Sequence, residues 1–213
     1  FTIENPPGLA GRTLIFIKSF EEGVRDPVIF TRNYPDYGEQ KDLLALYLNP
    51  EENKKLMEIF PDRKPYTLYY DPGSRQYLIS EGVDNTGSAE NYFRAANNYY
   101  NALKDLENAK VNFDKALQMS PGNPQILFEL GVMLYETKKY AEAVEVFKKL
   151  ESTPGYRQLD RVWFYIARSY WLMGKEKESL PYFEKLASLP EKSPLTERAE
   201  SWIALYRQSL DEK

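Results

Sequence analysis

A spacing of 34 residues runs through the second half of this chain and limits its fold more than any other feature. Asn97, Ala109, Phe113 and Ala116 are answered by Gly131, Ala143, Phe147 and Leu150, each 34 positions on. Ala167, Ser179, Phe183 and Leu186 follow 36 positions later. The two extra residues fall around 152–159, where a longer loop adds little closure entropy. A period of this length is that of paired helices whose apolar faces cannot be buried alone, so the pairs must stack. Such stacks present an extended concave surface, which suits another protein.

Composition agrees with folding and removes several functions. Forty-two per cent of residues are hydrophobic, with 17 Tyr and 11 Phe, enough for a sizeable core. The net charge of −4 comes entirely from residues 1–84, so neither half has the basic excess of a nucleic-acid binder. With no His and no Cys, the chain holds no Ser-His or Cys-His pair and no Cys/His zinc site. No cofactor is expected. No apolar run approaches the roughly 20 residues that span a bilayer. The chain opens on Phe1 rather than Met, which predicts a processed or excised product whose upstream signal or membrane segment has been removed.

Residues 1–84 predict a small α/β domain. The apolar runs 13–17, 27–30 and 43–48 suit buried strands. Asn49-Pro50 then opens a short helix with Glu51 and Glu52 in its first turn and Leu56, Ile59 and Phe60 on its apolar side. Strands at 66–70 and 75–80 flank Asp71-Pro72-Gly73-Ser74, where Pro followed by Gly predicts a type II hairpin turn. About five strands and one or two helices result, with a linker over 85–89. From 90 onward, apolar residues recur at three- and four-residue intervals. Three repeats are expected, at about 90–123, 124–159 and 160–193. A last helix over 194–210 carries Leu195, Ala199, Trp202, Ile203, Tyr206 and Leu210 as one stripe that covers the end of the stack.

The segment NPQILFELGVMLYETKKYAEAVEVFKKLESTPG closely resembles a tetratricopeptide repeat. Leu127, Leu130, Gly131, Leu134, Ala143 and Phe147 occupy that family's signature positions, with Pro154-Gly155 closing the unit. The first repeat keeps Tyr100, Ala109, Phe113, Ala116 and Pro121 but has Asn97 where a small residue belongs. The third has Trp163, Ile166, Ala167, Tyr170, Ser179, Phe183 and Leu186. The resemblance implies an all-α superhelix of three repeats and a capping helix after the α/β domain, and a non-catalytic role in holding a protein or peptide.

In that family the first helix of each pair lines the concave groove. This projects Asn91, Arg94, Asn98 and Asn101 into it from the first repeat and Gln125, Phe128, Val132 and Tyr135 from the second. Arg161, Phe164, Arg168 and Trp171 follow from the third. Amides can bond a peptide backbone, Arg can grip a carboxylate with two donors, and aromatics give rigid contact area. An acidic or aromatic-rich segment is the ligand this mixture suits. Some relatives hold a terminal carboxylate in a basic-plus-Asn clamp. Arg94, Asn98 and Arg161 match parts of it, whereas Glu129 and Tyr165 depart from it, so a complete clamp is not expected. The competing reading is that Phe128, Phe164 and Trp171 pack between adjacent repeats or against the N-terminal domain.

Residues 12–71 more loosely resemble small soluble domains that follow the membrane portion of some bacterial glycosyltransferase-like proteins. The likeness rests on the Asn-Pro-Glu-Glu-Asn helix start and the Phe-Pro-Asp-Arg exit to a strand. It implies an extracytoplasmic accessory domain, touching a membrane only through an upstream segment. Asp62 and Asp71 are the carboxylates at strand ends that acid/base chemistry would require. No phosphate loop or nucleophile motif accompanies them, and ordinary surface roles are expected.

Overall fold

The computed structural model describes residues 11–17, 42–71, 73–190 and 193–211. The run at 27–30 lies outside them. The chain forms two compact units that divide between Ser120 and Pro121. The first unit holds the sheet and the first helical pair, and the second holds the helices that follow.

In the first unit, four strands form a mixed sheet of order β2-β1-β3-β4 among the described residues. β1 (Thr13–Ile17) lies parallel to both β2 (Asp42–Leu46) and β3 (Lys64–Asp71). A central parallel strand is covered on both faces and needs a continuous apolar run. All five residues of β1 are buried. Leu14, Phe16, Leu43 and Tyr47 form a core on one face, and Ile15, Ile17, Tyr66 and Leu68 on the other. Between β2 and β3 runs α1 (Pro50–Ile59), capped by Asn49, whose side chain accepts from the Glu52 amide at 2.9 Å. Leu56, Met57 and Phe60 cover the first core. Ile59, expected among them, is instead 65% exposed, one helical step out of register with the buried stripe.

β4 (Gln76–Glu81) returns antiparallel to β3, as expected of a hairpin. Its turn is organised by Asp71, which accepts from the Gly73 and Ser74 amides at 3.3 and 3.0 Å and from the Ser74 hydroxyl. The expected type II geometry centres on Pro72, outside the described residues. A left-handed residue of this turn is Arg75, with φ of 55°.

Three side-chain hydrogen bonds of α2 (Ala89–Asn98) fasten the first helical pair, α2 and α3 (Leu106–Met119), to this domain, beside one that holds the segment leading into it. Tyr47, fully buried after β2, donates its hydroxyl to the Asp84 carbonyl at 2.7 Å. Asn98 donates to the Tyr47 carbonyl at 2.6 Å, and Asn91 donates to the Asp84 carboxylate at 2.9 Å. Tyr92 donates to Glu51 on α1 at 2.8 Å.

The second unit contains α4 (Pro124–Glu136), α5 (Tyr140–Glu151), α6 (Leu159–Leu172), α7 (Glu176–Ala187) and α8 (Pro194–Asp211). The 34-residue positions are its packing centres. Ala143, Phe147, Leu150, Ala167, Ser179, Phe183 and Leu186 are all at most 1% exposed. Gly131 shows why one of them must lack a side chain: an added Cβ would stand 2.7 Å from the Phe147 ring. At the equivalent crossing in the next pair, Ser179 donates to the Ala167 carbonyl at 2.8 Å.

The turns inside the pairs repeat as well. Lys104, Lys138 and Gly174 occupy equivalent positions with φ of 57°, 63° and 70°. Lys138 and Gly174 close Schellman caps, in which the Lys139 and Lys175 amides reach back to Leu134 and Tyr170. The first pair widens this turn into a π segment over Tyr99–Leu103. Glycine adopts such a φ freely, whereas a lysine there is strained. Lys138→Gly should therefore raise stability by about 0.5–1 kcal/mol, the strain relief exceeding glycine's added unfolded-state entropy. Urea unfolding with an unchanged slope would read it.

α8 begins with a reciprocal cap: the Ser193 amide donates to the Thr196 hydroxyl, and the Thr196 amide donates to Ser193. Thr196, Ala199 and Ile203 are buried, while Glu197, Glu200, Ser201 and Ala204 are exposed. The latter four stand where α4 and α6 present Leu127, Leu130, Gly131, Leu134 and their equivalents to a second helix. α8 is thus a half-repeat with a polar outer face, the cap the sequence predicts.

Candidate partner-binding surface

Within the second unit, α6 touches both α4 and α8, so these three helices form one layer and α5 and α7 the other. Repeat spacing sets their outward positions into four rows: Gln125, Arg161 and Leu195; Phe128, Phe164 and Arg198; Val132, Arg168 and Trp202; Tyr135, Trp171 and Leu205. Gln125, Arg161, Arg198 and Leu205 are exposed. Val132, Tyr135, Phe164, Arg168, Trp171, Leu195 and Trp202 are half-buried, and Phe128 is buried.

The aromatics do two things at once. Phe128 packs edge-on against Phe147 and Tyr165, with centroids 6.0 Å away in each case. Trp171 lies 4.7 Å from Trp202 and 6.4 Å from Phe183. Phe164 packs into the core beneath α8. They therefore join neighbouring repeats, as the competing reading holds, and Phe164 and Trp171 still keep part of their surface in water. Burial raises the Tyr165 hydroxyl above the usual tyrosine range, partly offset by the positive charge of Arg161.

Two cations of α6 lie against rings of the flanking helices. The Arg161 guanidinium is 4.4 Å from the Phe128 centroid and that of Arg168 is 4.3 Å from the Trp202 centroid. Among the described residues, neither pairs with a carboxylate, nor does Arg198. Nη1 of Arg168 is buried without a hydrogen-bond partner.

The first repeat's candidates stand differently. Asn91 and Asn98 were expected to face a ligand but are 1% and 7% exposed, their amides spent on Asp84 and Tyr47. Arg94 is ion-paired with Glu90 at 2.7 Å. Asn101 is exposed on the π segment. The α8 residues Arg198, Trp202 and Leu205, outside the set that the repeat resemblance implies, lie one further 34-residue step beyond 164, 168 and 171.

In the α/β domain, Asp62 is ion-paired with Arg12 and Asp71 holds the hairpin turn. They stand at opposite ends of β3, roughly 25 Å apart at 3.3 Å per residue, too far to share acid/base work. No helix among the described residues is long and apolar enough to cross a membrane.

Residues 100–153 and 160–193 both match profiles described as tetratricopeptide repeat. These segments are tetratricopeptide repeats. The first match begins inside the first helical pair, after Asn97, the position that departs from the repeat pattern. Among solved structures, the N-terminal domain of stress-induced protein-1 from C. elegans is 21% identical with a TM-score of 0.48. That match covers 54% of this chain and 93% of the other. The pilF protein of Pseudomonas aeruginosa is 25% identical with a TM-score of 0.49, covering 58% of this chain and 55% of its own. No curated protein matches the sequence.

Proposed function

We propose that this chain is a non-catalytic module that holds a protein or peptide segment against the outward rows of α4, α6 and α8. The observation that carries this reading is the makeup of α6. Arg161, Phe164, Arg168 and Trp171 present two cations without carboxylate partners and two half-exposed aromatics on successive turns. Aromatic and Arg side chains are the types that dominate binding energy at interfaces. Helix-borne side chains locked by ring packing lose little entropy on docking, so the surface is largely preformed. The tetratricopeptide repeats support an interaction role.

A photo-crosslinking amino acid in place of Trp171 or, as a control, of Glu184 on the exposed side of α7 tests it in native extract. The expected result is a partner captured from position 171, absent from position 184 and lost in an Arg161→Glu/Arg168→Glu variant that retains its helical circular dichroism. Equal capture from both positions, or capture unaffected by the charge reversal, would move the site elsewhere.

A further inference from the structure

The two arginines of α6 also specify what kind of segment would dock. A guanidinium lying over a ring uses its face and leaves its in-plane N–H fork open. The Arg161 and Arg168 guanidinium carbons lie over the Phe128 and Trp202 rings, and neither group meets a carboxylate among the described residues. A planar carboxylate matches the donors such a guanidinium keeps at the surface with two parallel hydrogen bonds.

Resting on the surface assigned above, we infer that its occupant is an extended acidic segment with two carboxylates four or five residues apart, one on Arg161 and one on Arg168. The spacing follows from geometry. Seven residues of helix separate the two Cα atoms by about 10.5 Å along the axis. Arg161 leans toward α4 and Arg168 toward α8, on opposite sides of α6, so the forks lie farther apart than that. A diagonal on the order of 13–17 Å is four or five residues of extended chain at about 3.3 Å each. Phe164, half-buried between them, receives an apolar side chain from the middle of the segment. Glu129 and Glu136 on α4 disfavour further acidic residues on that side, while exposed Arg198 on α8 favours them on the other.

The test uses the full chain and three fluorescein-labelled 12-residue peptides of Ala, Ser, Phe and Glu, read by anisotropy. One carries two Glu five residues apart with Phe between them. The second has the same composition with the Glu residues adjacent, and the third replaces both Glu by Gln. The expected result is at least tenfold tighter binding of the spaced peptide than of either control. Arg161→Gln or Arg168→Gln should each bring it to the control level, and Arg168→Lys, which keeps the charge but not the fork, should recover only part. Equal binding of the spaced and adjacent peptides, or unchanged binding by the Gln variants, would overturn the inference. So would failure of all three peptides to bind. The crosslinking from position 171 decides separately whether this face binds a partner at all.

Discussion

Truncation of Phe147 to alanine is expected to destabilise the second unit by about 3–5 kcal/mol, the range for removing a fully buried aromatic. The ring is fully buried and serves three helices. It stacks on Tyr165 of α6 at 5.0 Å and 5°, meets Phe128 of α4 edge-on, and sits against the bare backbone of Gly131. No single neighbour can close the gap, because each is itself fixed by other rings. Gly131→Ala probes the same contact from the other side. Alanine favours the helix by about 1 kcal/mol, but its Cβ would stand 2.7 Å from a ring that Tyr165 and Phe128 prevent from retreating. Overpacking costs about 1–3 kcal/mol, so a net loss is expected. Adding Phe147→Leu to Gly131→Ala should cost less than the sum of the two single changes. Strict additivity in a denaturant-based double-mutant cycle would show that the two positions are not coupled.

The second large effect lies in the first unit. Tyr47→Ala should cost about 3–5 kcal/mol, because it empties the core between β1, β2 and α1 and also removes a buried hydrogen bond. Tyr47→Phe separates the two contributions. It keeps the ring among Leu14, Phe16 and Leu43 and loses the hydroxyl with its bond to the Asp84 carbonyl, which Asn91 still approaches at 3.3 Å. About 1 kcal/mol is expected for that change. Burial, with the Asp84 carboxylate adding to it, holds the Tyr47 hydroxyl well above the usual tyrosine range. The folded state therefore keeps this proton where the unfolded chain gives it up. The resulting stability is complete below the ordinary tyrosine pKa near 10 and declines as pH rises through it toward the raised value. Chemical unfolding of the wild type and Tyr47→Phe on either side of pH 10 reads this: the gap between them should narrow at the higher pH.

Much of this architecture was legible in the sequence because periodicity reports packing directly. The positions 34 apart are buried small residues and rings, as Gly131, Ala143 and Phe147 show. The polar residues were harder to read. Asn91 and Asn98 recur at helical spacing beside Arg94, and on a helix wheel they belong to a ligand face. Only a fold that brings the Tyr47 carbonyl and Asp84 to them turns those amides inward. Ile59 misled for a related reason, since one helical step decides between core and water and Met57 takes its place. For the candidate surface, α6 could be read residue by residue. The pairing of Arg161 with Phe128 and Arg168 with Trp202 could not, because it joins helices whose separation no local pattern encodes.

The attachment of the first helical pair to the sheet bears on how such an array can change in length. Interior repeats meet copies of themselves, so a duplicated pair finds a ready-made neighbour. The first pair meets β2, α1 and the segment after β4 through partners particular to this chain: Tyr47, Glu51 and Asp84. A duplicate inserted before it would face those groups with the wrong residues and leave Asn98 and Asn91 without acceptors. Gain or loss of a whole repeat is therefore compatible with folding after residue 120 and disfavoured before it, and homologues with a different repeat count should differ there.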